Sequence, residues 1–95
     1  MIVSFGDSET EMVWNGEFSK KIKLPVKLHS LARRKLRMIS AAPTVETLRV
    51  PPSNHLELLK GNRAGQWSIR INNQWRICFK WIAGNSHDVS IEDYH

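Results

Sequence analysis

The chain is short of the residues that build covalent or metal-linked scaffolds. Its single cysteine, Cys78, excludes an internal disulfide and a cysteine-built zinc site. Nothing in the sequence marks a base for a catalytic thiol, so Cys78 reads as a small strand residue. The four histidines, at 29, 55, 87 and 95, lack paired ligand spacing, and neither a metal nor a cofactor is expected. His29 reads as a helix-surface residue and His87 as lying in or beside a turn. There is no Gly-x-Ser-x-Gly elbow and no phosphate-cradling Gly-rich loop. No apolar run approaches the length of a membrane span. Residues 1–18 carry acids and no basic region followed by an apolar run, so no signal peptide is expected. Acids are also scarce, 9 against 14 Lys and Arg.

These absences describe a soluble, cytoplasmic chain without repeats, linkers or low-complexity segments. Ninety-five residues suit one domain with one modest core. A hydrophobic fraction of 41% and four tryptophans argue against disorder. The formal charge of +5 points to an anionic partner, nucleic acid or acidic protein, although a merely solvated basic surface fits equally well.

The organising stretch is residues 59–81. Trp67, Ile69 and Ile71 alternate with Ser68 and Arg70, and Trp75, Ile77, Phe79 and Trp81 alternate with Arg76, Cys78 and Lys80. Period-2 alternation predicts two strands buried on one side only. Asn72-Asn73 between them predicts a tight hairpin turn. One face is then apolar, and the other carries Arg70, Arg76 and Lys80.

Upstream, Ile2 to Phe5 predicts a short strand, and Asp7 or Ser8 caps a helix that runs to about Trp14 and ends at Asn15-Gly16. Residues 17–24 stay ambiguous. A second helix is predicted over residues 25–42, with Leu28, Leu31, Ala32, Leu36, Ile39 and Ala42 as its apolar stripe. Lys27, Arg33, Arg34 and Arg37 lie off that stripe, either as a solvated face or as a contact for RNA or an acidic partner. Residues 44–48 predict one turn of helix, and residues 49–54 a rigid extended connector because of Pro51 and Pro52. Gly61 and Gly65 flank a turn, Ala83 to Asn85 forms another, and Val89 and Ile91 face the core from a last strand. The order predicts an α+β fold with helices packed on one face of a small antiparallel sheet.

RNA cleavage by its own 2′-hydroxyl needs a base, cations for the crowded phosphate and an acid for the leaving oxygen. Lys60, Arg63, Arg70, Arg76 and Lys80 supply cations in or beside the hairpin. Tyr94 and His95 supply proton-carrying or stacking groups. Spacing alone favours a basic half-sheet that only binds.

The run LRVPPSNHLELLKGNRAGQWSIRINNQWRICFKW, the ending IEDYH and the segment ARRKLRMISAA resemble the HigB-type toxins (plasmid maintenance killer proteins) of the RelE/ParE superfamily. The resemblance covers essentially the whole chain, residues 1–95. It implies a RelE-like fold and a ribosome-dependent mRNA endonuclease that inhibits translation. It also implies a HigA-like helix-turn-helix antitoxin, with operator DNA reached only through the toxin–antitoxin complex. By motif position, Lys60, Arg76, Asp93, Tyr94 and His95 are the implied catalytic set. Arg63, Arg70 and Lys80, with Arg33, Arg34 and Arg37 on the second helix, are the RNA-binding candidates.

Some relatives place a His three residues before that Lys. Here the position is Glu57, and His55 lies two positions earlier, so the second proton-transfer group stays open. Strict alternation from Val89 and Ile91 sends His95 toward the core, so the last strand must end or twist near Glu92. The rival readings are a ParE-like gyrase-inhibiting toxin without this chemistry and a basic nucleic-acid-binding module. If His95 is the proton donor, deleting it will lower ribosome-dependent cleavage by about 10²–10⁴-fold relative to the full chain. Equal rates would move the donor role elsewhere.

Overall fold

The structure is a computed structural model that describes residues 1–94. Helix α1 (Ser8–Asn15) begins where the Asp7 carboxylate accepts the Thr10 amide at 2.7 Å. That bond satisfies one of the orphan donors of the first turn, and Glu9 and Glu11 complement the positive helix end. Gly16 closes the helix at φ 75, a left-handed cap that costs glycine no Cβ clash. Helix α2 (His29–Ala41) follows a 3-10 turn at Val26–Leu28. Its predicted stripe is the buried face: Ala32, Leu36 and Ile39 are wholly enclosed.

Four strands, β1 (Glu57–Leu58), β2 (Gln66–Arg70), β3 (Trp75–Ile82) and β4 (Asn85–Asp93), form an antiparallel meander in chain order. Ile69 pairs with Ile77 and Ile77 with Ile91, while Arg70 pairs with Arg76 and Arg76 with Glu92. Apolar and polar rows therefore run across the sheet on opposite faces. Val13 of α1, Leu36 and Ile39 of α2, and Ile69, Ile77, Phe79 and Val89 of the sheet make one core. This is the expected α+β arrangement. A bulge lies opposite Phe79. Cys78 pairs with Ser90 but Lys80 with His87, and Asp88 takes φ 51 to absorb the extra residue.

Several expectations need correction. The Ile2 to Phe5 segment forms parallel bridges to β4, Ile2 with Ser86 and Phe5 with Val89, rather than a regular strand. The hairpin turn is longer than Asn72-Asn73. The Asn72 side chain folds back to accept the Gln74 and Trp75 amides at 2.9 and 2.8 Å, which closes a four-residue loop. His87 belongs to β4. His29 is buried, because its Nε2 donates to the Leu24 carbonyl at 2.8 Å and so satisfies the ring inside the fold.

The connector is not extended. It folds into a 3-10 turn at Pro52–Asn54, while the helical turn expected over residues 44–48 is present as a 3-10 turn at Val45–Arg49. The reason is a buried polar pair. The Lys35 ammonium donates to the Asn54 side-chain oxygen, and Asn54 Nδ2 donates to the Leu48 carbonyl at 3.1 Å. Burial pushes the Lys35 ammonium below the usual lysine range, with Arg34 adding to the effect.

Phe79→Ala is expected to cost about 3–5 kcal/mol, since the ring is fully enclosed. Lys80→Ala, at the exposed rim, is expected to stay within about 0.5 kcal/mol of the parent. Asn54→Ala strips the Lys35 ammonium of its acceptor and should cost about 1–3 kcal/mol. Urea unfolding of the three variants checks the ranking. Equal losses for Phe79→Ala and Lys80→Ala would contradict the assignment of sheet faces.

Candidate active site: a cationic cleft on the polar face of the sheet

The polar face is shaped by two small residues. Ser68 and Cys78 pair across β2 and β3, and both are buried although they lie opposite the core. Larger side chains lie over them. Arg76 Nε donates to Ser68 Oγ at 2.9 Å, and the Tyr94 hydroxyl lies 3.7 Å from Cys78 Sγ. Arg76 Nη2 also donates to the His55 carbonyl at 2.6 Å, and the Arg76 guanidinium sits 5.8 Å from the Tyr94 ring centroid.

His55 adopts φ 45, a left-handed conformation uncommon outside glycine and typical of functional loops. The Arg70 guanidinium reaches both the Asn73 side-chain oxygen and His55 Nε2, the latter at 3.4 Å. The result is an open cleft of about 330 Å³ lined by His55, Glu57, Arg70, Asn72, Asn73, Arg76 and Tyr94.

Arg70 and Arg76 meet there as the strand period predicts. Tyr94 joins them from just beyond β4. His55, which alignment leaves in doubt, and Glu57, which pairs with Ser68, complete the lining. Ser68 was missed, because covered burial on a polar face has no local signature.

The other candidates lie elsewhere. Lys60 is exposed at the start of the Gly61–Arg63 turn, outside the cleft lining. Asp93 pairs with Trp75 on the core-side parity, and its carboxylate accepts from Gln74 Nε2 at 3.1 Å. Lys80 pairs with Asp88 at 3.2 Å. Arg33 Nε donates to the Val13 carbonyl at 2.9 Å and joins the two helices, while Arg34 and Arg37 are exposed on α2. His95 lies outside the described residues.

Arg63 grips Glu92 with both Nη atoms, at 2.6 and 2.7 Å. The Arg63 bond holds the Glu92 carboxyl below the usual range, against the opposing effect of partial burial. Burial pushes the Cys78 thiol up. Tyr94 is 41% exposed as a residue, but its hydroxyl is tucked against Cys78, and its phenol is pushed up to about 12 by desolvation first and by Cys78 second.

A larger cavity of about 600 Å³ lies on the helix side, with Asp7, Glu9, Lys23, Trp75 and Asp93 in its wall. Its carboxylates oppose a phosphate. Among the described residues no cluster of three or more His, Cys, Asp or Glu is placed to hold a metal ion, and no helix is long and apolar enough to cross a membrane.

Because the folded Glu92 pKa is depressed, its contribution to stability is complete above the unfolded value of about 4.3 and is lost as pH falls through the lower folded value. Urea midpoints measured from pH 6 down to pH 3 should fall less steeply in Glu92→Gln than in the parent. Parallel curves would show that the pair contributes nothing in solution.

Residues 4–95 match the profile of the HigB-like toxin family, described as the RelE-like toxin of type II toxin-antitoxin system HigB. Toxin HigB-1 of Vibrio cholerae serotype O1 is 34% identical over 84 residues, spanning 88% of this chain and 87% of that protein. Endoribonuclease HigB of Proteus vulgaris is 48% identical over 40 residues, 42% of this chain and 44% of that protein. A chain of the YoeB-YefM complex from Staphylococcus aureus superposes with a TM-score of 0.62 at 17% identity, covering 100% of this chain and 98% of that one, so the fold is shared. The chain belongs to the HigB-like family, the RelE-like toxins of type II toxin–antitoxin systems.

Proposed function

We propose that residues 1–95 act as one toxin domain, a ribosome-dependent endoribonuclease that cuts mRNA and so stops translation. The observation that carries this reading is the convergence of Arg70, Arg76, His55, Glu57 and Tyr94 in one cleft. The name of the Proteus vulgaris relative, an endoribonuclease, supports it.

In the reaction the 2′-hydroxyl oxygen attacks the adjacent phosphorus as its proton leaves. The bond from phosphorus to the 5′-oxygen breaks, and that oxygen takes a proton. Negative charge grows on the phosphate, and preorganised guanidinium groups stabilise it without reorganising. Arg76 suits this role, because Ser68 and the His55 carbonyl hold its Nε and Nη2. Arg70 stands beside it.

His55 is the base. Its imidazole lines the cleft, with Nε2 3.4 Å from the Arg70 guanidinium. Tyr94, with its phenol pushed up to about 12, stays protonated at neutral pH and serves as a stacking platform and hydrogen-bond donor. His95 donates the proton to the leaving oxygen. Lys60 and Asp93 join the set on motif position alone. Arg34 and Arg37 on α2 contact ribosomal RNA as a charged face.

The antitoxin is a HigA-like helix-turn-helix protein, and the toxin meets operator DNA only through that complex. The site of action is the cytoplasm, with no membrane partner.

Primer extension on cellular mRNA after induction tests this reading. Defined cuts should appear with the parent protein and fall about 10²–10³-fold with Arg76→Ala at equal expression. His55→Ala should lose about 10²–10⁴-fold, and Glu57→Gln much less. Unchanged cutting by Arg76→Ala would remove the cleft from the mechanism, and the reverse order at His55 and Glu57 would make the carboxylate the base.

A further inference from the structure

We propose that Arg63 is a positioning residue: through its two-pronged ion pair with Glu92 it straps the polar face of the sheet and holds Tyr94 in the cleft. Where this concerns cleavage, it rests on the endoribonuclease reading. Arg63 belongs to the Gly61–Arg63 turn before β2, and Glu92 to β4. β3 runs between them, so the guanidinium must cross it to make the bond.

Both carboxylate oxygens are used. Nη1 donates to Oε1 at 2.6 Å and Nη2 to Oε2 at 2.7 Å. Such a fork fixes direction as well as distance. Each end is braced from its own side. Gln66 Oε1 accepts from Arg63 Nη2 at 2.9 Å, and Ser90 Oγ donates to Glu92 Oε2 at 2.7 Å.

Glu92 and Tyr94 are two residues apart and share a face of the strand. Tyr94 follows β4 directly. The Tyr94 amide donates to the Gln74 carbonyl at 2.6 Å, and the ring lies between Cys78 and Arg76. Chain segments at strand ends fray unless tied down. The strap supplies the tie one residue-pair before the tyrosine. Arg63 and Glu92 side chains are 33% and 30% exposed, so the pair is screened by solvent, and its value lies in geometry more than in stability. A guanidinium already neutralised by a carboxylate is also a poor phosphate ligand.

The strap and a phosphate contact predict opposite effects at Glu92. Removing that negative charge would help a protein that merely attracts RNA, and would harm one that needs the strap. The test uses the full chain as Arg63→Ala, Glu92→Gln and the double variant, in ribosome-dependent cleavage with kcat and KM separated. Tyr94 is the sole tyrosine, so ultraviolet difference absorption reports its phenol alone.

The strap predicts that each single variant loses about 10²-fold in kcat with little change in KM. The double variant should be no worse than either single, because one interaction is lost only once. In all three, the Tyr94 phenol should ionise closer to the ordinary value of about 10 than in the parent. A raised KM in Arg63→Ala, a salt slope smaller by about 1, and undiminished or faster cleavage by Glu92→Gln would overturn the proposal in favour of a phosphate contact.

If Arg63→Ala fails to fold by circular dichroism, Arg63→Lys replaces it. That variant keeps the charge but lacks the fork, so the strap predicts a loss of rate and a phosphate contact predicts retention. A parent protein that cuts no mRNA would sink the nuclease reading, and the phenol titration would still decide the strap by itself.

Discussion

The guanidinium of Arg76 ties three distant parts of the chain to one place. It bonds Ser68 on β2, the His55 carbonyl before β1, and lies over the Tyr94 ring beyond β4. A planar cation with donors along its edge is suited to bridging in this way, since each bond leaves the others in plane. Its position depends in turn on the smallness of Ser68 and Cys78. Bulk at either would lift the guanidinium or the phenol away from the sheet.

A second line of support runs from the helices to the cleft. Lys35 of α2 donates to Asn54, and Asn54 pins the connector through the Leu48 carbonyl. The next residue is His55, held at a left-handed φ with its carbonyl toward Arg76. A backbone conformation of this kind costs of order 1–3 kcal/mol and persists where its surroundings over-determine it. The buried lysine and asparagine supply that determination. The apolar core between helices and sheet therefore does more than stabilise the fold. It carries a polar device that sets where one wall of the cleft stands.

The legible parts were those written in local signals. Helix α1 announces itself through Asp7 and Gly16, and α2 through its stripe. The two central strands follow from period 2, which also puts Arg70 and Arg76 on one face. What stayed hidden depends on partners far along the chain. Pro51 and Pro52 read as extension, yet Asn54 draws the connector into turns. His29 reads as a helix-surface residue, yet it is buried because the Leu24 carbonyl satisfies its ring. Arg63 reads as a spare cation because nothing near it in sequence names Glu92, 29 residues on. Lys60 and Asp93 came from motif resemblance, and the cleft forms without them in its lining. His55 shows the same limit: its place follows from a backbone angle, which alignment does not carry.

The bridges between the segment around Ile2 to Phe5 and β4 bear on the order in which the molecule is assembled. Ser86 Oγ donates to the Met1 carbonyl 85 residues away, and the Val3 and Gly6 amides bond carbonyls of β4. Such contacts reward the chain only after a very long loop has closed. Everything from α1 to β3 can condense beforehand. β4 pairs with β3 through the short Ala83-Gly84 turn, so the step that closes last is the seating of the Ile2 to Phe5 segment on the free edge of β4. Assembly therefore runs outward from the sheet meander to its N-terminal edge.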